Sequence, residues 1–253
     1  MSTISDKFDF VQESLKSLGW RKATLIVIAV GVLLRIGAYV NGSALFLDEA
    51  MTGLNIRHRS FSGLLQPLDY HQIAPIGWLL LHKVLLNMWS TVEYSLRLPA
   101  VVCSIATLFT MYALAKRHFQ IDTTFFVVAI ISLLPVALTY SIAAKPYSTD
   151  IFLSTLLIFL TLDLLSRPQI NITTIIPLGM IGTLSIPFSF PIVVILASSG
   201  AGLALKVTLQ RDWKNLLPLM VMGAIWLTVF LYIYLTFHNQ PSSVVSWMRG
   251  SAW

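Results

Sequence analysis

Residues 23–40, ATLIVIAVGVLLRIGAYV, carry one charge, Arg35, in an otherwise apolar run. About 18 or more such residues are enough to cross a bilayer as a helix. Seven further apolar runs follow, at 75–90, 98–115, 123–141, 149–165, 171–187, 188–207 and 215–237. The composition agrees: 56% of the 253 residues are hydrophobic and 11% are charged, whereas soluble domains carry about a quarter charged residues. The chain therefore reads as an all-α integral membrane protein. It forms one membrane domain over 1–253, with no linker or low-complexity segment dividing it.

The net charge of +6 does not indicate nucleic acid. The basic residues form no stripe, but sit in short groups between apolar runs, such as Arg21-Lys22 and Lys116-Arg117. That placement marks the cytoplasmic ends of spans. If all eight runs cross from a cytoplasmic N-terminus, Lys116, Arg117, Arg167, Lys206, Arg211 and Lys214 fall outside. If 75–90, which contains His82 and Lys83, is an interfacial helix, those six join Lys7, Lys16, Arg21 and Lys22 inside. Arg57, Arg59, Lys83, Arg97, Lys145 and Arg249 then remain outside. The second arrangement fits the charge bias. It predicts about seven transmembrane helices and an external loop, 41–97, carrying the interfacial helix. Asp6, Asp9 and Glu13 precede the first run and no small-residue cleavage site follows, so that run reads as a retained span. Pro187 and Pro191 predict a turn between two spans. Cys103 is the single cysteine, so an internal disulfide and a cysteine-based metal site are excluded. Arg35 stands mid-span with no evident partner.

Three polar patches interrupt the apolar pattern. Asp48-Glu49 follows the first span, and read alone it suits a helix N-terminus. Gln66–Pro75 includes His71 and Gln72 and reads as a loop leading into the interfacial helix. Lys145-Pro146-Tyr147-Ser148-Thr149-Asp150 places a cation, a phenol, two hydroxyls and a carboxylate at one helix start. There Ser148 or Thr149 would be the cap. Ionisable groups at a membrane edge also raise a functional hypothesis. Trp78, Trp89, Trp247 and Trp253 read as interfacial anchors. Asn41-Gly42-Ser43 matches a glycosylation acceptor pattern that is common by chance.

The ordered series Phe46-Leu47-Asp48-Glu49-Ala50, Gln72-Ile73-Ala74-Pro75, Leu96-Arg97-Leu98-Pro99, Lys145-Pro146-Tyr147-Ser148-x-Asp150 and Pro187-Phe188-Ser189-Phe190-Pro191 resembles the GT-C superfamily of membrane glycosyltransferases. It is most similar to bacterial relatives of dolichyl-phosphate-mannose–protein mannosyltransferases. The resemblance implies a polyprenyl-phosphate-linked sugar donor, a protein, lipid or glycan acceptor, and a bacterial plasma membrane. Such enzymes commonly run to about twice this length. The resemblance therefore covers their N-terminal module, and the chain is expected to be a fragment, a subunit of a pair or a degenerate copy. Ala143-Ala144 stands where relatives often carry an acid.

The chemistry sets its own demands. A sugar phosphate reacts through an oxocarbenium-like transition state, and phosphate leaves without protonation. One carboxylate base and a cation for the departing charge then suffice. The resemblance implies Asp48 as that base. Glu49 is the second choice, or orients the acceptor. Arg57, Arg97 and Lys145 are candidate phosphate ligands, and Tyr147 a hydrogen-bonding partner of the same phosphate. His71 and Gln72 complete the candidate binding residues. Asp150 would position the sugar or share a divalent ion with Asp48, and whether any metal ion takes part is left open. The rival readings are a lipid or solute transporter and a non-catalytic membrane subunit or truncated remnant.

Overall fold

The computed structural model describes residues 4–42, 44–89 and 91–238, with side chains from 18 to 236 within those ranges. Ser43, Trp247, Arg249 and Trp253, and the side chains of Asp6, Lys7, Asp9, Glu13 and Lys16, lie outside the described part. The described chain is helical: α1 Ile4–Asn41, α2 Leu47–His58, α3 Ile76–Met88, α4 Val92–His118, α5 Ile121–Leu133, α6 Pro135–Ser141, α7 Tyr147–Ser166, α8 Ile172–Ser185, α9 Ile192–Leu209 and α10 Trp213–Ile233. Five of these segments are long and apolar enough to cross a membrane: Leu18–Asn41, Val92–His118, Tyr147–Ser166, Ile192–Leu209 and Trp213–Thr236. The protein is an all-α multi-pass membrane protein.

Two apolar runs depart from a simple span. Residues 123–141 become α5 and α6, bent by 54° at Leu134. Pro135 causes the break, because it has no N–H to give the carbonyl four residues back. With the pair counted as one, there are up to six spans by length and composition. The run 171–187 forms α8 and a short 3-10 turn, Ile186–Phe188. Together these extend about 27 Å, short of the roughly 30 Å hydrocarbon core. This run is not among the helices long enough to cross, so the seven expected spans become five, or six with the bent pair, among the described residues. Run 75–90 yields only the 13 residues of α3, about 20 Å long, too short to cross.

Helix packing in lipid rests on close approach and interhelical polar contacts, since lipid is as apolar as leucine. α1 meets α5 at Gly31, where a Cβ would lie 2.9 Å from the Ser132 Cβ. α4 packs on α7 and links α1 and α5 to the second group, α7 to α10. In that group Leu157, Leu178, Leu196, Leu203 and Trp226 form a buried core. Thr161 and Ser199 join α7 to α9 through their hydroxyls at 2.8 Å, and Trp226 Nε1 donates to Gly179 O at 3.2 Å. Away from Asp48, Asp163 pairs with Arg117 and Arg167, and Lys206 caps the last carbonyls of α7 at Leu164 and Leu165. The ends of α4, α7 and α9 that carry Arg117, Arg167 and Lys206 are therefore on one face.

The segment between α1 and α4 packs on the other ends of these helices. Ile56, Leu64, Trp78, Leu79, Leu96 and Ala144 make its core. Lys83 Nζ donates to the Ile56 and Arg57 carbonyls at 2.9 and 3.1 Å, closing the C-terminus of α2. Gly77 lets α3 approach the Pro187 carbonyl, which a Cβ would meet at 2.9 Å. Trp78 is 1% exposed and stacks on His82 at 3.8 Å. It is a core side chain rather than the interfacial anchor expected from sequence, whereas Trp89 is exposed.

His82 lies between two carbonyl oxygens, Trp78 O at 2.8 Å and Leu96 O at 3.1 Å. Burial lowers its pKa to about 4, against the opposing pull of those carbonyls. The folded state therefore holds it neutral while an unfolded chain protonates near 6.5. Its contribution is complete above pH 6.5 and is lost as pH falls from 6.5 toward 4. Thermal unfolding in detergent should show stability declining between pH 6.5 and 5, and the slope should flatten in His82→Gln.

A candidate interfacial active site

The site begins where α1 hands over to α2. Phe46 is in extended conformation at the start of α2. Glu49, in the first turn, accepts the Phe46 N–H at 3.0 Å, which is half of a capping box. Its other oxygen accepts the Ala144 N–H at 2.9 Å. Ala144 is 95 residues away, in the turn between α6 and α7. The Glu49 side chain is buried and both its oxygens are engaged. Glu49 is therefore a strut that holds two polar patches together, and it is poorly placed to act as a base or to face an acceptor.

That strut brings Lys145 to Asp48. The Lys145 ammonium lies 3.2 Å from Asp48 Oδ2, 2.9 Å from Gln72 Oε1 and 3.1 Å from Thr52 Oγ1. Thr52 Oγ1 is within reach of both Asp48 O and Gln72 Oε1, and its one proton serves one of them. The two side chains differ in environment. Lys145 is 13% exposed, while Asp48 is 58% exposed. The cation is thus fixed from beneath by neutral oxygens, and the carboxylate opens outward. Gln72 arrives through an unusual backbone. Tyr70 and His71 have φ of 60° and 55°, the left-handed region that non-glycine residues rarely adopt. Asn55 stabilises this turn by binding the Asp69 N–H at 2.8 Å, and Arg59 pairs with the Asp69 carboxylate at 2.8 Å.

The remaining candidates stand around this cluster. Arg97 is buried at the start of α4 and donates to Ala44 O at 3.2 Å, in the connection that leads into α2. His71 is exposed beside Gln72. Tyr147 is half exposed and packs on Tyr140 at 4.9 Å between ring centres. Arg57 is not brought to Asp48. It sits nine residues along α2, about 13 Å farther down the axis, and is exposed. Neither Ser148 nor Thr149 caps α7. The residue before α7 is Pro146, and the Ser148 hydroxyl turns back to Tyr140 O at 2.7 Å. Asp150 lies in the first turn of α7, and its Oδ1, like the Ser189 hydroxyl in the Pro187–Pro191 break, is buried without a hydrogen bond of normal geometry to any described residue. A mostly apolar cavity of about 230 Å³ adjoins Ser189 and Pro75, with Phe190, Phe230 and Tyr234 in its wall.

A divalent ion finds no evident ligand set. Among the described residues no group of three or more His, Cys, Asp or Glu side chains converges. The cation beside Asp48 is the Lys145 ammonium.

No protein-family model matches this chain, and no curated protein matches it. The site stands on its geometry: an outward carboxylate beside an anchored ammonium, at the margin of a helical membrane domain. Sequence reasoning passed over Thr52 and Ser189 as site residues. Thr52 had a usable signal, since it is one helical turn after Asp48 and so on the same face. Glu49→Ala should leave the buried Ala144 N–H without its acceptor, at about 1–3 kcal/mol, and cost less at the Phe46 N–H, where the residue is exposed. Thermal unfolding should show a clear drop, smaller in Glu49→Gln, which keeps one acceptor oxygen. An unchanged midpoint in Glu49→Ala would contradict the strut.

Proposed function

We propose that this protein is a glycosyltransferase that moves a hexose from a polyprenyl-phosphate donor to an acceptor hydroxyl at the outer membrane edge. The observation that carries the reading is the pairing of Asp48 with Lys145 at 3.2 Å, with the carboxylate outermost. Asp48 takes the proton of the acceptor hydroxyl as that oxygen bonds to the anomeric carbon. The bond from that carbon to the phosphate oxygen breaks, and the configuration inverts. Inversion puts the leaving phosphate on the face of the sugar opposite Asp48, so Lys145 parts from Asp48 to meet it, as the phosphate becomes its counter-ion. The apolar cavity beside Ser189 and Pro75 suits the first part of an isoprenoid chain. Asp150 Oδ1 and the Ser189 hydroxyl, buried and without hydrogen bonds of normal geometry to the described residues, are the groups left to hydrogen-bond the donor.

The membrane setting supports the same reading. The donor's tail belongs in lipid and its sugar in water, so transfer takes place where the two meet. Under the positive-inside bias, Arg117, Arg167 and Lys206 mark the cytoplasmic face. The N-terminus then lies in the cytoplasm and the Asp48 cluster faces outward; a bacterial plasma membrane is what the resemblance to the GT-C enzymes implies. A transporter would use mid-span ionisable groups along a path. Arg35, the mid-span charge, is committed to three backbone oxygens and the Ser104 hydroxyl instead.

Transfer from a labelled polyprenyl-phosphate sugar, measured on the full protein in nanodiscs, tests this. Asp48→Asn should lower kcat by about 10²–10⁴-fold, the usual contribution of a general base, with membrane insertion intact. Lys145→Met should lower kcat and raise the donor KM together. Full activity in Asp48→Asn would refute the assignment.

A further inference from the structure

The α5–α6 break is held by Arg35. In a continuous helix the Ile131 carbonyl would accept the N–H of residue 135, but that residue is proline. Arg35 supplies the missing donors. Nη2 donates to Ile131 O at 3.0 Å, and Nη1 donates to Ser132 O and to Gly31 O, each at 3.0 Å. Nε donates to Ser104 Oγ at 2.7 Å, tying the group to α4 as well. The side chain is 1% exposed. Three helices thus meet at one guanidinium, and the close α1–α5 approach at Gly31 puts it within reach.

The break sets where the next turn goes. α6 has seven residues and leaves α5 at 54°. Its C-terminus is bound to α7 by the Ser148 hydroxyl on Tyr140 O. Ala144 and Lys145 occupy the turn between them. Side-chain packing does not fill the space beside the break. A cavity of about 40 Å³ lies among Arg35, Ser104, Ile131, Ala137, Ser148 and Ile151. Packing beside the break is thus incomplete, and the polar contacts of Arg35 help to fix the direction of α6.

We propose that Arg35 is a positioning residue: by holding the α5–α6 bend it places Lys145 beside Asp48. Its meaning for catalysis rests on the transferase reading, whereas its geometric content does not. The bend acts as the arm, Ala144 and Glu49 as the latch, and Lys145 as the group delivered.

Amine-specific labelling of the intact protein in nanodiscs, read by peptide mass spectrometry, tests this without touching the site. Lys83 and Lys206 are the controls, since each is bonded to helix carbonyls away from the break. In Arg35→Met the reactivity of Lys145 should rise about tenfold, as expected for losing hydrogen bonds to a charged group, with Lys83 and Lys206 unchanged. Arg35→Lys, which keeps a cation and three donors, should recover part of the protection. Unchanged Lys145 reactivity in Arg35→Met would overturn the proposal. If Arg35→Met unfolds, seen as all three lysines rising together, Ser104→Ala decides, because it removes one contact and leaves the charge in place. A rise of about threefold at Lys145 alone supports the proposal, and no rise, or a common rise, overturns it. Sugar transfer measured alongside separates the two ideas. Absent transfer by the wild type with Lys145 responding to Arg35 would sink the transferase reading and leave the positioning role standing.

Discussion

The buried carboxylate of Glu49 joins two stretches of chain 95 residues apart, accepting one N–H from each. Buried N–H groups need partners, and at a membrane edge water is an unreliable one. One side chain satisfies the first turn of α2 and the α6–α7 turn at once. Because its oxygens are both taken, its neighbour Asp48 carries the outward charge. The adjacent pair in sequence therefore divides into two jobs: one carboxylate holds the frame and the other faces the solvent side.

The same logic governs the rest of the polar structure. Lys83 closes the C-terminus of α2, Lys206 closes that of α7, and Arg35 closes the broken end of α5. In each case a long cationic side chain from another helix reaches carbonyls that their own helix has stopped using. Membrane helices can be short, bent or interrupted when such donors exist. This protein uses them where α5 breaks and where α2 and α7 end, and leaves leucine, isoleucine and valine to face lipid.

Charge separation at the site follows from depth. Lys145 reaches up from a turn buried against the bundle, and Thr52 and Gln72 hold it with neutral oxygens. Asp48 is its outermost contact. An incoming anion can take over that contact without disturbing the lower ones. The left-handed turn at Tyr70 and His71, pinned by Asn55 and Arg59, delivers Gln72 to this position. Strain of this kind persists only where surrounding bonds over-determine it.

Much of the fold was legible in the sequence, because bilayer thickness converts hydropathy directly into helices. The 23–40 run, the shortness of 75–90 and the break between 171–187 and 188–207 could all be read from length, charge and proline. The three polar patches were visible too, since ionisable groups stand out against an apolar chain. Their division of labour was not. Asp48 and Glu49 look alike in one dimension, and only the approach of Ala144 tells the strut from the exposed carboxylate. Arg57 looked as good a cation as Lys145, and helical rise alone carries it away. Trp78 looked like an anchor until the packing of α3 buried it. Arg35 showed no partner because three of its four contacts are backbone carbonyls, two of them at the break before a proline 100 residues downstream, and backbone groups leave no mark in a sequence. Hydropathy is a property of each segment, whereas hydrogen-bond partnership belongs to pairs that only the folded chain brings together.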